Sequence, residues 1–181
     1  MMKHHHGSPF EHVTFKFLVR APVLVWWNWK RHRIASYNLE SSRFHKMSDD
    51  FYIPNPFRLQ DPKNKQSSAV EFLNDDDNGR MSGKLRLWMD AGWDIYEELL
   101  SLGVSNEQAR TALPFASVYF TGVFTVNVRS MMNFLSLRND AHASVEIQEY
   151  AKIMEEWFAQ MMPLTYDAYK KYFLTRVKMF S

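Results

Sequence analysis

Residues 13–20 alternate in polarity. Val13, Phe15, Phe17 and Val19 fall on one side of a period of two, and Thr14, Lys16, Leu18 and Arg20 on the other. Successive side chains of an extended chain point to opposite faces, so this predicts a strand with one largely polar face. Pro22 stands where a helix can begin, because its missing N–H costs nothing in a first turn. The aromatic-rich stretch 23–31 predicts a buried helix, with Arg31, His32 and Arg33 emerging at its C-terminal end, where the helix dipole favours cations. The stretch 34–44 is largely polar and predicts irregular chain. Residues 51–53 predict a short strand, and Pro54, Pro56 and Pro62 mark a turn-rich segment. Residues 61–66 and 74–78 are polar. Asp75, Asp76 and Asp77 read as a solvated loop or helix edge, since they lack the alternating ligand spacing of a calcium loop.

From about Ser82 the period becomes helical. Leu85, Leu87, Trp88, Ala91, Ile95, Leu99 and Leu102 carry the apolar positions, and Gly103 ends the run. Ser105 with Gln108 three residues later predicts a capping box for a helix that stops near Pro114. Residues 118–126 are β-branched and aromatic and predict a strand, Gly122 notwithstanding. Asn127 predicts the cap of a helix running through Leu137. The last long helices are expected over 143–161 and 166–179. In the first, Ile147, Tyr150, Ala151, Met154, Trp157, Phe158 and Met161 form one apolar stripe, expected to be packed core or a subunit face. Strands and helices do not alternate as βαβ units, so the expected class is α+β, an antiparallel sheet flanked by helices.

Composition sharpens this reading. A chain of 181 residues with 46% apolar content predicts one domain, 1–181, with a real core. Its 15% aromatic share suggests a ring-lined pocket or interface as well as packing. Twenty-two basic residues against 20 acidic ones leave a net charge of +2, which argues against a bulk nucleic-acid binder. No cysteine is present, which excludes a disulfide, a thiolate nucleophile and cysteine metal ligands, and is compatible with a reducing, cytoplasmic setting. No stretch reaches 18 apolar residues, so no membrane span is expected. The opening residues lack a signal peptide's apolar run. His4–His6 with Gly7 and Ser8 reads on pattern alone as much like a tag end as like native chain, and three successive histidines lack zinc-site spacing. No metal is expected.

Two polar clusters interrupt the packing pattern. One holds Arg31, His32, Arg33, Ser36, Asn38, Ser41, Ser42 and Arg43; the other holds Asn127, Arg129, Asn133, Arg138 and His142 among Met131, Met132, Phe134, Leu135 and Leu137. Polar groups are too costly to bury unpaired in such company. Arginine's rigid fork suits phosphate, serine hydroxyls add donors, asparagine reads the edge of a flat heterocycle, and Trp27, Trp29, Tyr37 and Phe44 can wall a ring. The set suggests a phosphorylated, ring-bearing ligand, against a bland reading as a surface ion-pair network with capping residues. No nucleotide-binding glycine loop, serine nucleophile elbow or general-base pair stands out. If the chain is an enzyme, a cofactor carries the hard chemistry and the protein orients it.

These clusters carry a family resemblance. Arg31-His32-Arg33, seven residues 34–40, then Ser41 and Arg43 resemble the signature of the flavin-dependent thymidylate synthases, the thymidylate synthase-complementing type. NVRSMMNFLSLRNDAHASVEIQEYA, beginning at Asn127, resembles a second block of that family. HHHGSPFEHVTFKFLVRAP, beginning at His4, resembles the segment before the signature, and ARTALP, beginning at Ala109, a fourth block. Four blocks in the family's order span most of the chain, and they count His6 as native.

The resemblance implies a homotetramer with flavin sites at subunit interfaces, and reductive methylation of dUMP to dTMP. Methylenetetrahydrofolate would supply the carbon, NADPH would reduce the FAD, and no cysteine nucleophile is used. By position it implies FAD contacts from His6, Ser8, Glu11, Arg31, His32, Arg33, Asn127, Arg129, Asn133 and His142. It implies nucleotide contacts from Asn28, Ser41, Ser42, Arg43, Arg110 and Arg138, with Arg138, Arg43 and Ser41 closest to the chemistry. Departures from the family pattern are Trp27 and Asn28 for a common Arg-Gln, Leu39 for Glu beside Glu40, Ser42 for Gly, Phe44 for Tyr, and one extra residue between Arg110 and Asn127, expected as a bulge near 120–122. Family members usually carry several dozen further residues before His6. A flavin- or nucleotide-binding homologue without turnover is the alternative, and a nucleic-acid binder the second.

Overall fold

Strand β1, Thr14–Pro22, keeps the alternation of its sequence: Phe17, Val19 and Ala21 are buried, while Leu18 on the polar face is 77% exposed. The computed structural model describes residues 1–4, 6–65 and 68–175; His5 of the histidine run lies outside them. Helix α1, Val23–Trp29, follows at once. It ends two residues earlier than its apolar content predicts, so Arg31, His32 and Arg33 lie in the turn beyond it rather than on its last turn. The stretch expected to be irregular contains a strand, β2, Ser36–Leu39. Its polar residues alternate with half-buried ones, and it is an end strand of the three-stranded sheet ordered β1-β5-β2, where β5 is Tyr119–Asn127.

The chain forms two compact units. The first holds Met1–Phe17, Asn28–Tyr37 and Val123–Ser181. Its helices are α4, Val128–Arg138; α5, Val145–Met161; and α6, Pro163–Ala168, which runs on as a wider π-helical stretch, Tyr169–Leu174. Asn127 caps α4 as expected: its Oδ1 accepts from the Ser130 N–H at 2.9 Å. Trp29, fully buried, stacks on Phe134 at 5.3 Å and meets Phe124 edge-on at 5.4 Å. Along α5, Ile147, Ala151, Met154 and Phe158 are buried, but Trp157 and Met161 are 50% and 73% exposed, so the stripe is only partly core. The last helix begins at Pro163 rather than at 166, and the expected portion 176–179 lies outside the described residues.

The second unit holds Leu18–Trp27 and Asn38–Gly122. The strand expected at 51–53 is a single bridge, Phe51 to Val118. An antiparallel pair that the sequence does not announce, β3 (Arg58–Gln60) with β4 (Ser68–Phe72), sets Arg58 opposite Phe72 and Gln60 opposite Ser68. Helix α2, Asp75–Ser101, starts well before Ser82. The acidic run is its first turn: Asn74 caps it, accepting from the Asp77 N–H at 2.8 Å, and three carboxylates suit the positive end of the dipole.

The face of α2 that is buried is Met89, Gly92 and Tyr96. Leu87, Trp88 and Ile95, expected inside, are 71%, 57% and 52% exposed. Gly92 explains the choice, because a Cβ there would meet the Ala112 carbonyl at 2.8 Å. Helix α3, Asn106–Ala109, passes into a 3-10 turn, Arg110–Ala112, and stops before Pro114 as expected. Its capping box does not form: the Ser105 side chain makes no cap bond, and the Gln108 N–H that it would serve donates instead to the Ser105 backbone carbonyl at 2.9 Å. The expected strand after it is β5, and Gly122 sits where the chain passes Asn38 and Leu39: a Cβ would stand 3.1 Å from the Asn38 carbonyl oxygen.

Candidate active site

The turn after α1 and one face of α4 converge within the first unit. Residues i and i+4 share a helix face, so Arg129 and Asn133 point the same way, while Asn127 and Ser130 stand at the helix entrance and Arg138 at its exit. Together with Arg31, His32, Arg33 and Glu11 they line a cleft of about 840 Å³, with Ile34 and Leu137 as apolar wall. This volume is of the order that ligand sites occupy.

Electrostatics in the cleft are one-sided. Arg31, Arg33, Arg129 and Arg138 face a single lining carboxylate, Glu11, which pairs with Arg129. Gly7 allows that pairing: a Cβ at this position would lie 2.8 Å from Arg129 Nε. Arg138 Nε donates to His32 Nε2 at 2.9 Å, and Arg138 Nη2 donates to the Asn28 carbonyl at 3.4 Å. His32 is therefore a neutral acceptor, with its proton on Nδ1. Burial, and then the Arg138 charge, bring its pKa down from 6.5 to about 4. The His32 ring meets Phe134 edge-on at 4.8 Å. Burial and the nearby Arg31 charge pull Arg138 below the ordinary arginine range, yet its guanidinium remains a cation with N–H groups left over for a ligand.

The donor set fits an anionic, ring-bearing group such as a flavin dinucleotide. Cationic forks suit a diphosphate, and Asn127, Asn133 and Ser130 add neutral hydrogen-bonding groups beside them. Asn127 Oδ1 is already engaged as the α4 cap, so its amide N–H₂ is the part that can face a ligand.

Not every expected residue lines this cleft. His6 and Ser8 flank Gly7 and are exposed, Ser8 opening the 3-10 turn Ser8–Glu11 that delivers Glu11. His142 is exposed beside Asp140, Nδ1 to Oδ1 2.8 Å, and lines a second cleft of about 480 Å³ with Asn139, Glu155 and Tyr169; Arg138 lines both.

Four other expected residues gather in the second unit. Arg110 Nη1 donates to the buried Ser42 hydroxyl at 2.7 Å, and Arg110 Nε to the Glu107 carbonyl at 3.3 Å. Arg43 Nη2 pairs with Glu107 Oε2 at 3.0 Å, and the Arg43 N–H reaches Ser41 Oγ at 3.5 Å. Two arginines and two serines are thus brought together, with Glu107 between the arginines. Glu40, beside Leu39, is used in the sheet: its Oε1 accepts from the Thr121 N–H at 2.6 Å.

Ser130 in the cleft and Glu107 between the arginines are not singled out by residue type. Each had a faint signal, Ser130 at capping distance from Asn127 and Glu107 one short turn before Arg110. Among the described residues there is no cluster of histidine and carboxylate groups able to hold a metal, and no helix is long and apolar enough to cross a membrane.

The model of the thymidylate synthase complementing protein family matches residues 1–164. A flavin-dependent thymidylate synthase of Kosmotoga olearia is 42% identical over 176 residues, covering 97% of this chain and 75% of that protein. One from Thermotoga neapolitana is 41% identical over 172 residues, covering 95% and 74%. Among solved structures, the UMP/dUMP methylase PolB from Streptomyces cacaoi bound with 5-Br dUMP is 32% identical with a TM-score of 0.84, covering 94% of this chain and 76% of that one. The same methylase bound with 5-Br UMP gives 33% identity and a TM-score of 0.87, covering 94% and 80%.

Proposed function

Because the chain belongs to the thymidylate synthase complementing protein family, we propose that it methylates dUMP reductively to dTMP. The carbon comes from methylenetetrahydrofolate and the reducing equivalents from NADPH through FAD. The observation that carries this reading is the arginine-lined cleft in which Arg31, His32, Arg33, Arg129 and Arg138 meet Asn127, Asn133 and Glu11. The flavin, when bound, supplies the redox chemistry. Arg31, Arg33 and Arg129 hold its anionic phosphates, with His6, Ser8 and His142 completing its contacts. Ser41, Ser42, Arg43 and Arg110 hold the nucleotide phosphate, and Asn28 is a further nucleotide contact.

Arg138 turns its remaining N–H groups toward the uracil edge. A fixed cation there favours negative charge that builds on the ring in the transition state. His32 keeps that cation in register by accepting from Nε, and does so only while neutral. Arg43 and Ser41 belong with the residues that hold the nucleotide.

Residues 1–164 match one family model across both compact units, which supports reading 1–181 as one domain. A cytoplasmic homotetramer with flavin sites at subunit interfaces belongs to the same proposal; Leu87, Trp88 and Ile95 along α2 offer apolar surface for such an assembly.

The test is turnover of purified protein with FAD, dUMP, methylenetetrahydrofolate and NADPH, with dTMP as the readout. Formation of dTMP dependent on all four supports the proposal. Flavin retained through desalting with no dTMP formed would leave a binding homologue and end the catalytic reading.

A further inference from the structure

We infer that Tyr37 is a positioning residue for the candidate active site, its hydroxyl closing the turn that presents Arg31, His32 and Arg33. Tyr37 stands on β2, half-buried, with its ring 5.2 Å from that of Phe124 on β5. Its Oη lies 2.9 Å from the Trp29 carbonyl and 2.8 Å from the His32 carbonyl, the two ends of the turn. Trp29 closes α1, so its carbonyl lacks an intrahelical partner; it accepts from the His32 N–H at 3.0 Å as well as from the phenol. One phenol proton is thus shared between two carbonyls, and it ties the start of the turn to its end.

The consequence reaches the cleft through His32. Its backbone is tied by Tyr37, while its ring is held by Phe134 and by the Arg138 guanidinium. Arg31 lies inside the tied turn and Arg33 directly after it. A phenylalanine at 37 would keep the ring packing on Phe124 and lose the tie, so the hydroxyl has a role separate from the core. Burial raises the phenol pKa to about 12, so it stays a donor across the neutral range.

The role in binding rests on reading the cleft as the flavin site, and the experiment separates the two claims. Hydrogen–deuterium exchange of the ligand-free protein over 30–35 and the FAD dissociation constant are compared for wild type and Tyr37→Phe, with thermal midpoints recorded. The expected result is faster exchange confined to 30–35 and about fivefold weaker FAD binding, the factor matching one net hydrogen bond of about 1 kcal/mol. The midpoint should fall by no more than about 4 °C. Tyr37→Leu, which also removes the ring, should lower the midpoint further and weaken FAD in the same direction. Unchanged exchange over 30–35 in Tyr37→Phe would overturn the inference, as would a lower midpoint with FAD affinity unchanged. A wild type that binds no FAD would end the flavin reading, while the exchange comparison would still decide what Tyr37 does.

Discussion

Arg138 Nε donates to His32 Nε2 across 2.9 Å, joining two residues 106 positions apart in the chain. The bond exists only while His32 is neutral. Its folded-state pKa, near 4, lies below the 6.5 of an ordinary histidine. Between these values the unfolded chain takes up a proton that the folded chain refuses. The contribution to stability is therefore full above 6.5 and is lost as pH falls toward 4. An NMR titration of the His32 ring should show no protonation from pH 8 to 5. In His32→Phe, denaturation measured across 6.5 to 4 should lose this part of the pH slope. A ring titrating near 6.5 would sink the assignment.

Arg138→Ala should fold, because a partly exposed guanidinium at a helix end is not a core element, and should still bind dUMP through the arginines of the other cluster. Its kcat is expected to fall by about 10²–10³, the loss seen when one fixed transition-state donor is removed. Steady-state assays with nucleotide saturating would check this; an unchanged kcat would remove Arg138 from the chemistry.

Gly7→Ala acts on the cleft without touching the core. The new methyl would lie 2.8 Å from Arg129 Nε and force the flexible guanidinium aside, away from Glu11. FAD affinity, followed by flavin fluorescence, is expected to fall about tenfold, while the thermal midpoint changes little because exposed ion pairs contribute about 0–1 kcal/mol.

Ser42→Ala removes the hydroxyl that accepts from Arg110 Nη1. The guanidinium keeps its charge and its bond to the Glu107 carbonyl but loses its aim. KM for dUMP should rise about fivefold with kcat retained, the signature of lost uniform binding. A drop in kcat alone would place Ser42 elsewhere in the mechanism.

Gly122→Ala tests the sheet. The added Cβ would press on backbone, 3.1 Å from the Asn38 oxygen and 3.3 Å from Leu39 Cα, and neither can swing away as a side-chain tip can. A loss of about 1–3 kcal/mol is expected, read as a lower urea midpoint with an unchanged slope.

Much of the local structure was legible in residue order. The alternation of 13–20 is β1, the β-branched run after Val118 is β5, and Asn127 caps α4 because a cap depends on a side chain three residues from the amide it serves. The hairpin of β3 and β4 was not legible, since its short strands carry no alternation. The full length of α2 is not legible either, because acidic residues serve equally as a loop and as a helix's first turn. The site divides in the same way. Residue types and spacing singled out Arg31, His32, Arg33, Asn127, Arg129, Asn133 and Arg138, and these do line one cleft. They did not reveal that Glu107 joins Arg43 to Arg110, nor that Tyr37 ties the turn.

The sequence by itself determined the periods, the caps and the chemical character of the two polar clusters, because these rest on neighbours within a few residues. Only the tertiary structure decided which face of α2 is buried and which partners the arginines take. Leu87, Trp88 and Ile95 offer as good an apolar stripe as Met89, Gly92 and Tyr96. The choice fell to Gly92, where the Ala112 carbonyl leaves no room for a side chain. His32 and Arg138 likewise carry no sign of one another in the chain. Their bond stands beside the stacking of Trp29 on Phe134, a long-range contact that local periodicity does not encode.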